Sequence, residues 1–173
     1  MESEELLELG EHASRREDRR IGLTMAIFAA GLAMVTLMGH RLHTEEVVLQ
    51  TKVVDGWAYY QAKSTRSQMY GADARLAELQ GTAGAALARV WTEKAAAETT
   101  QAADIRRDTE ALDRETEATA RRANFFDASE VFLEISIVLC SIALLTGGVR
   151  FWQVSFGSAA LGLAAGAMGF WPR

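Results

Sequence analysis

Three stretches of this chain, 21–38, 131–149 and 151–171, hold a single charged side chain between them, Glu134. The sequence has 173 residues with 18 basic and 23 acidic side chains, so charge is concentrated almost wholly outside those stretches. A soluble core does not sort residues in this way. A bilayer does, because spans of about 20 apolar residues match its hydrocarbon thickness. The division excludes a soluble globular enzyme. A lone cysteine, Cys140, leaves no disulfide framework, and no four-ligand Cys/His spacing for structural zinc is present. The one proline, Pro172, stands at the end, so nothing of that kind interrupts a helix in the body of the chain.

These features divide the chain into a polar tail at 1–20, a first span at 21–39, an extramembrane segment at 40–126, and two further spans at 127–149 and 151–171. The tail reads as a short polar helix or a disordered segment, acidic first and then ending in Arg15, Arg16, Arg19 and Arg20. The first span reads as a retained anchor: its apolar run exceeds a signal core, and no small-x-small cleavage site follows Met38. Four arginines before that span, against Arg41 close after it, place the amino terminus in the cytoplasm by the positive-inside rule. The extramembrane segment then lies outside and Arg150 inside. Arg121 and Arg122 argue weakly against this orientation, but they belong to a loop long enough to translocate regardless of charge.

Within 41–130 there are 12 basic and 15 acidic residues, much alanine and no strand signal. The paired glycines of Gly81-Thr82-Ala83-Gly84 read as a helix-ending turn and divide the segment into arms at 42–80 and 85–123. Equal arms around a turn describe an antiparallel helical hairpin. The expected fold class is therefore all-α: three transmembrane helices, with a long extramembrane hairpin between the first and second. Val53, Trp57, Tyr60, Tyr70, Leu76 and Leu79 form the apolar stripe of the first arm. The second arm is poorer, with Leu87, Val90, Trp91, Ile105 and Leu112 set among Ala and Thr. So thin a core implies that several hairpins pack together, since each large buried side chain contributes only about 1.5–3 kcal/mol. At its end, Asp127 and Glu130 have the spacing of a capping box, flanked by Phe126 and Val131, so a fresh helix is expected at Asp127 after a bend at 124–126.

In the third span, Ser158, Gly162 and Gly166 recur every fourth residue, a small face of the kind that packs helices in lipid, within one subunit or between subunits. The first span has Gly22, Ala26 and Ala30 at the same spacing. Cys140 reads as a small packing residue. Glu134 is an intramembrane carboxylate and by that fact a functional candidate, or else a residue that snorkels to the interface or pairs with Arg41 or Arg122. His40, His43 and Glu46 share a helix face but lack a fourth ligand for a metal. Trp57, Tyr59 and Tyr60 with Lys63 offer a cation–π grip on a ligand, or an aromatic packing cluster. Acids interspersed among the bases remove the electrostatic footprint of a nucleic-acid partner. No catalytic or cofactor motif is found.

The run from Lys52 through Trp57-Ala58-Tyr59-Tyr60-Gln61-Ala62-Lys63 resembles the signature of a bacterial membrane-protein family catalogued as domain of unknown function 4337. Phe126-Asp127-Ala128-Ser129-Glu130-Val131 and the apolar run after it resemble that family's second characteristic region. The resemblance implies a membrane-anchored helical protein and brings no assigned activity or cofactor. Three functional readings follow: a structural scaffold that homo-oligomerises in the bacterial inner membrane, an oligomeric channel or transporter with Glu134 in its pathway, or an accessory subunit of a larger membrane complex.

Overall fold

In the computed structural model the described residues are 2–171, with side chains described from Arg16 onward. Three α-helices account for nearly all of them: α1 (Glu2–Glu78), α2 (Ala85–Thr146) and α3 (Val149–Phe170), with a short 3-10 turn at Gly81–Ala83 between the first two. No described residue lies in a strand. Each helix contains a stretch long and apolar enough to cross a membrane. The fold is an all-α membrane protein with a long helical hairpin between its first two spans.

Gly81 adopts φ +67°, the left-handed conformation that glycine reaches without strain, and α1 ends before it. The same device separates α2 from α3. Gly147 has φ +65°, so the break falls at Gly147-Gly148 and not at Arg150, which lies in the first turn of α3. Of the two readings of the tail at 1–20, the helix is the one found, from Glu2 and continuous with the first span; its side chains before Arg16, including His12, lie outside the described residues. One further expectation needs correction: no fresh helix begins at Asp127. Helix α2 runs unbroken through 124–127, and no capping box forms. Extending a helix adds a hydrogen bond for each residue fixed, whereas stopping and restarting incurs the nucleation cost again. Asn124, Phe125 and Phe126 are poor helix formers but none prevents continuation.

The chain divides into two units. In the unit made of 45–118, the inward positions alternate steps of three and four along both helices. On α1 they are Leu49, Val53, Gly56, Tyr60, Lys63, Ser67, Tyr70, Ala74 and Ala77. On α2 they are Ala88, Trp91, Ala95, Glu98, Ala102, Ile105, Thr109, Leu112 and Thr116. This mean step of 3.5 keeps one seam facing the partner helix. Every seventh seam residue of α2, from Ala88 to Thr116, is Ala or Thr, which lets the backbones approach closely. A Cβ on Gly56 would collide with the Thr109 hydroxyl and lie 3.2 Å from Thr109 Cβ. The buried hydroxyls of Thr109 and Thr116 donate to the carbonyls of Ile105 and Leu112, so neither is left unsatisfied.

Leu76, Leu79, Leu87 and Val90, expected in the hairpin core, are instead all exposed. Hydrophobicity alone selects them, but none falls on the seam.

The close approach at Gly56 gives a signed prediction. Gly56→Ala gains about 1 kcal/mol of helix propensity, but its methyl group meets Thr109, and overpacking costs about 1–3 kcal/mol. The single variant should be neutral or destabilised. In a Thr109→Ala background the hydroxyl and methyl contacts are gone and only the 3.2 Å contact with Cβ is left, so the same change should cost less than it does in the wild type. Urea midpoints of the four proteins in the cycle measure the coupling.

In the unit made of 1–44 and 119–173, Ile21 and Phe28 of α1, Leu133, Cys140 and Ala143 of α2, and Ala159 of α3 form the buried centre. A second cluster joins Leu42, Ala123 and Phe126. Helix α3 buries Ser155, Ala159, Gly162, Gly166 and Gly169, all of them small residues.

Candidate functional site

The 45–118 unit holds a polar layer on its own seam. Lys63 is 8% exposed, and its Nζ donates to Gln101 Oε1 at 2.6 Å. Glu98 Oε2 lies 3.0 Å from the same Nζ. The geometry there makes a Coulombic pair without a hydrogen bond, so this buried oxygen depends on the ammonium charge alone. Arg66 approaches the other carboxylate oxygen at 3.6 Å. One turn on, the Ser67 and Thr99 hydroxyls lie 2.7 Å apart, and Ser67 donates to the Ala95 carbonyl. The Tyr59 ring lies 5.7 Å below the Lys63 ammonium.

Aromatic groups flank this layer. Trp57 and Tyr60 meet edge to face at 5.7 Å, and Tyr70 stacks on Trp91 at 5.2 Å. Lys94 Nζ sits 4.6 Å from the Trp91 ring. Trp57 and Tyr60 thus pack on each other within α1, and Tyr60 also occupies the seam.

Sequence reasoning treats Lys63 as a partner for aromatic rings and passes over Glu98, Gln101 and Gly56. The available signal was the spacing. Val53, Gly56, Tyr60 and Lys63, all within the 52–63 run, follow the three-four alternation, as do the small residues of α2.

In the unit of spans, the small face of α3 packs on α2 within the chain. A Cβ on Gly162 would lie 3.1 Å from both Phe132 Cβ and the Ser129 carbonyl, and one on Gly166 would lie 3.0 Å from Ser129 Oγ. Ser158 donates to the Phe132 carbonyl at 2.7 Å. Of the two readings open from sequence, packing within one subunit is the arrangement found. Cys140 is buried and donates to Ser155 Oγ, which in turn donates to the Trp152 carbonyl. Arg122 Nε donates to the Gly169 carbonyl at 3.1 Å, placing a cation at the carbonyl end of α3, where the helix dipole favours it.

The residues named as a metal candidate separate. His43 Nε2 lies 3.1 Å from both Asp127 carboxylate oxygens, and among the described residues no three metal-ligating side chains converge. Glu130 accepts from Thr36. Neither carboxylate therefore caps a helix; both tie α2 to α1. One turn further along α2, Glu134 is exposed on the outside of the unit, and no described residue pairs with it. The alternatives of pairing with Arg41 or Arg122 do not occur.

These features define a class: a three-span helical membrane protein with a small-residue helical hairpin carrying a buried ion pair. The family described as domain of unknown function (DUF4337) matches residues 17–172, and the chain belongs to that family. No curated protein and no solved structure shows significant similarity to it.

Proposed function

We propose that this protein is a structural, non-catalytic component of the bacterial inner membrane that homo-oligomerises through its spans and its hairpins. Its amino terminus is cytoplasmic and its hairpin is an antiparallel coiled coil in the periplasm. The observation that carries the reading is the outer surface of the 45–118 unit. Val47, Val48, Val54, Tyr59, Met69, Leu76, Leu79, Leu87 and Val90 are all exposed there, while every second seam position of α2 from Ala88 to Thr116 is only Ala or Thr. Large apolar side chains left outside in that number belong to a surface that other chains cover.

The orientation has support within the unit of spans. Trp152 Nε1 lies 3.4 Å from Thr24 Oγ1, which brings the start of α3 beside the start of the first span. Arg150 therefore lies at the same end as Arg16, Arg19 and Arg20, as the positive-inside rule asks.

Purification from native membranes tests the reading. The expected product is a particle of this chain alone; a foreign subunit in fixed stoichiometry would replace the scaffold with an accessory role.

Glu134 supports a second reading. Because it faces outward, a pathway lined by it would form between copies, as a ring of carboxylates in a channel. The scaffold reading predicts negligible ion flux through liposomes carrying either wild type or Glu134→Gln, with equal helicity by circular dichroism. A cation-selective wild-type flux that disappears in the variant would establish the channel.

A further inference from the structure

Helix α1 turns about 100° per residue, and the buried Ile21 marks its inward direction where the first span begins. Counted from Ile21, Arg16, Arg19 and Arg20 all fall at roughly 160–260°, on the outward face. Glu17 and Asp18 fall at roughly −40° and +60°, on the inward side. All five are exposed. Acids and bases that are neighbours in sequence are thus sorted by face, which the positive-inside rule, a count of charges, does not require.

The basic face continues into the span. Leu23, Ile27, Met34 and Leu37, between 52% and 71% exposed, occupy the same arc of roughly 160–260°. Leu23 and Ile27 follow Arg20 by roughly 4.5 and 10.5 Å of helix, a depth within the acyl chains of one leaflet, and the three arginines stand at its headgroups. Guanidinium groups with no acid on their face match a headgroup of net negative charge, and each can take two phosphate oxygens at once. The five acids at 2–11 lie beyond Arg16, further from the bilayer. A second copy presenting the same face about a twofold axis would set arginine against arginine.

We propose that this face of α1 binds an anionic phospholipid of the leaflet at the amino-terminal end, its phosphate on Arg16, Arg19 and Arg20 and an acyl chain along Leu23 and Ile27. The proposal needs the first span and does not depend on the oligomer.

Leu23→Cys in a Cys140→Ser background carries a dye on the full chain in phosphatidylcholine liposomes. A small fraction of the lipid is chain-brominated, as phosphatidylglycerol or as phosphatidylcholine. The phosphatidylglycerol should quench more, and this preference should fall about fivefold in Arg16→Gln. It should vanish when Glu17→Arg and Asp18→Arg are combined with Arg19→Glu and Arg20→Asp, an exchange that strips the face of two arginines at unchanged net charge, with helicity checked by circular dichroism. Equal quenching by both lipids in the unexchanged protein overturns the proposal. A preference that survives the exchange also overturns it, because attraction then follows the number of charges and not their face. A dye with apolar emission that neither lipid quenches shows that protein covers the face, and overturns the choice of occupant. Aqueous emission without quenching overturns the span itself.

Discussion

Lys63→Met is expected to destabilise the hairpin by about 3 kcal/mol, because it leaves Glu98 as a buried charge whose nearest cation is Arg66 at 3.6 Å. The Glu98 side chain is 15% exposed, too little for water to replace the lost ammonium. The double variant Lys63→Met/Glu98→Met should recover most of that loss, since apolar residues of similar volume commonly match or exceed a buried ion pair. Register should not recover with it. Ala88, Ala95, Ala102, Thr109 and Thr116 recur every seventh residue, so a slide of seven along α1 still offers a small residue at each close contact. Such a slide sets Lys63 opposite Trp91, with Lys94 in the place of Gln101, or opposite Ile105, with Asp108 in that place; neither puts a carboxylate at the seam position of Glu98. The ion pair therefore selects one register among several of similar packing, a role known for single polar residues in helical seams. Urea midpoints followed by circular dichroism give the stability change. For register, cysteines at Ser67 and Ala95, neighbours through a 3.0 Å hydrogen bond, should cross-link as a single species in wild type. In the double variant, part of the yield should move to a cysteine at Ala88 or Ala102.

Gly162→Leu should cost a comparable amount, about 1–3 kcal/mol, because α2 and α3 cannot separate at that point without losing contacts along their length. The Ser158 bond to the Phe132 carbonyl would be lost with them. Cys140 reports the outcome: it is fully buried and bonded to Ser155 of α3. A membrane-permeant maleimide should label Cys140 slowly in wild type and rapidly in Gly162→Leu. Gly157→Leu is the control, because a Cβ there meets nothing within 4 Å. Equal labelling of Cys140 in all three proteins would mean that the small face of α3 does not hold it against α2.

The all-helical class and the three apolar stretches were legible because both depend on local properties, helix propensity and the absence of charge. The breaks depend on backbone conformation and were only partly legible. Gly81 and Gly147 both need positive φ, and Gly147 outweighs the charge of Arg150 in placing the second break. Asp127 and Glu130 show how a local pattern misleads: their spacing fits a capping box, but His43 and Thr36 give both carboxylates partners on α1. The seam was hidden by size. Leu76, Leu79, Leu87 and Val90 attract attention as core residues, yet about half of the inward positions of this closely packed hairpin, Gly56, Ala74, Ala77, Ala88 and Thr109 among them, are small. Glu98 and Lys63 were hidden for the same reason, since a charge on an alanine-rich helix reads as solvated until its partner on the other arm is known.

The central claim is self-association of a membrane-anchored hairpin, and the most direct measurement is the mass of the purified chain reconstituted in nanodiscs, taken particle by particle. The account predicts a single species at an integer multiple of the chain mass, two or more, that persists on dilution. A particle containing one chain at every concentration would contradict it.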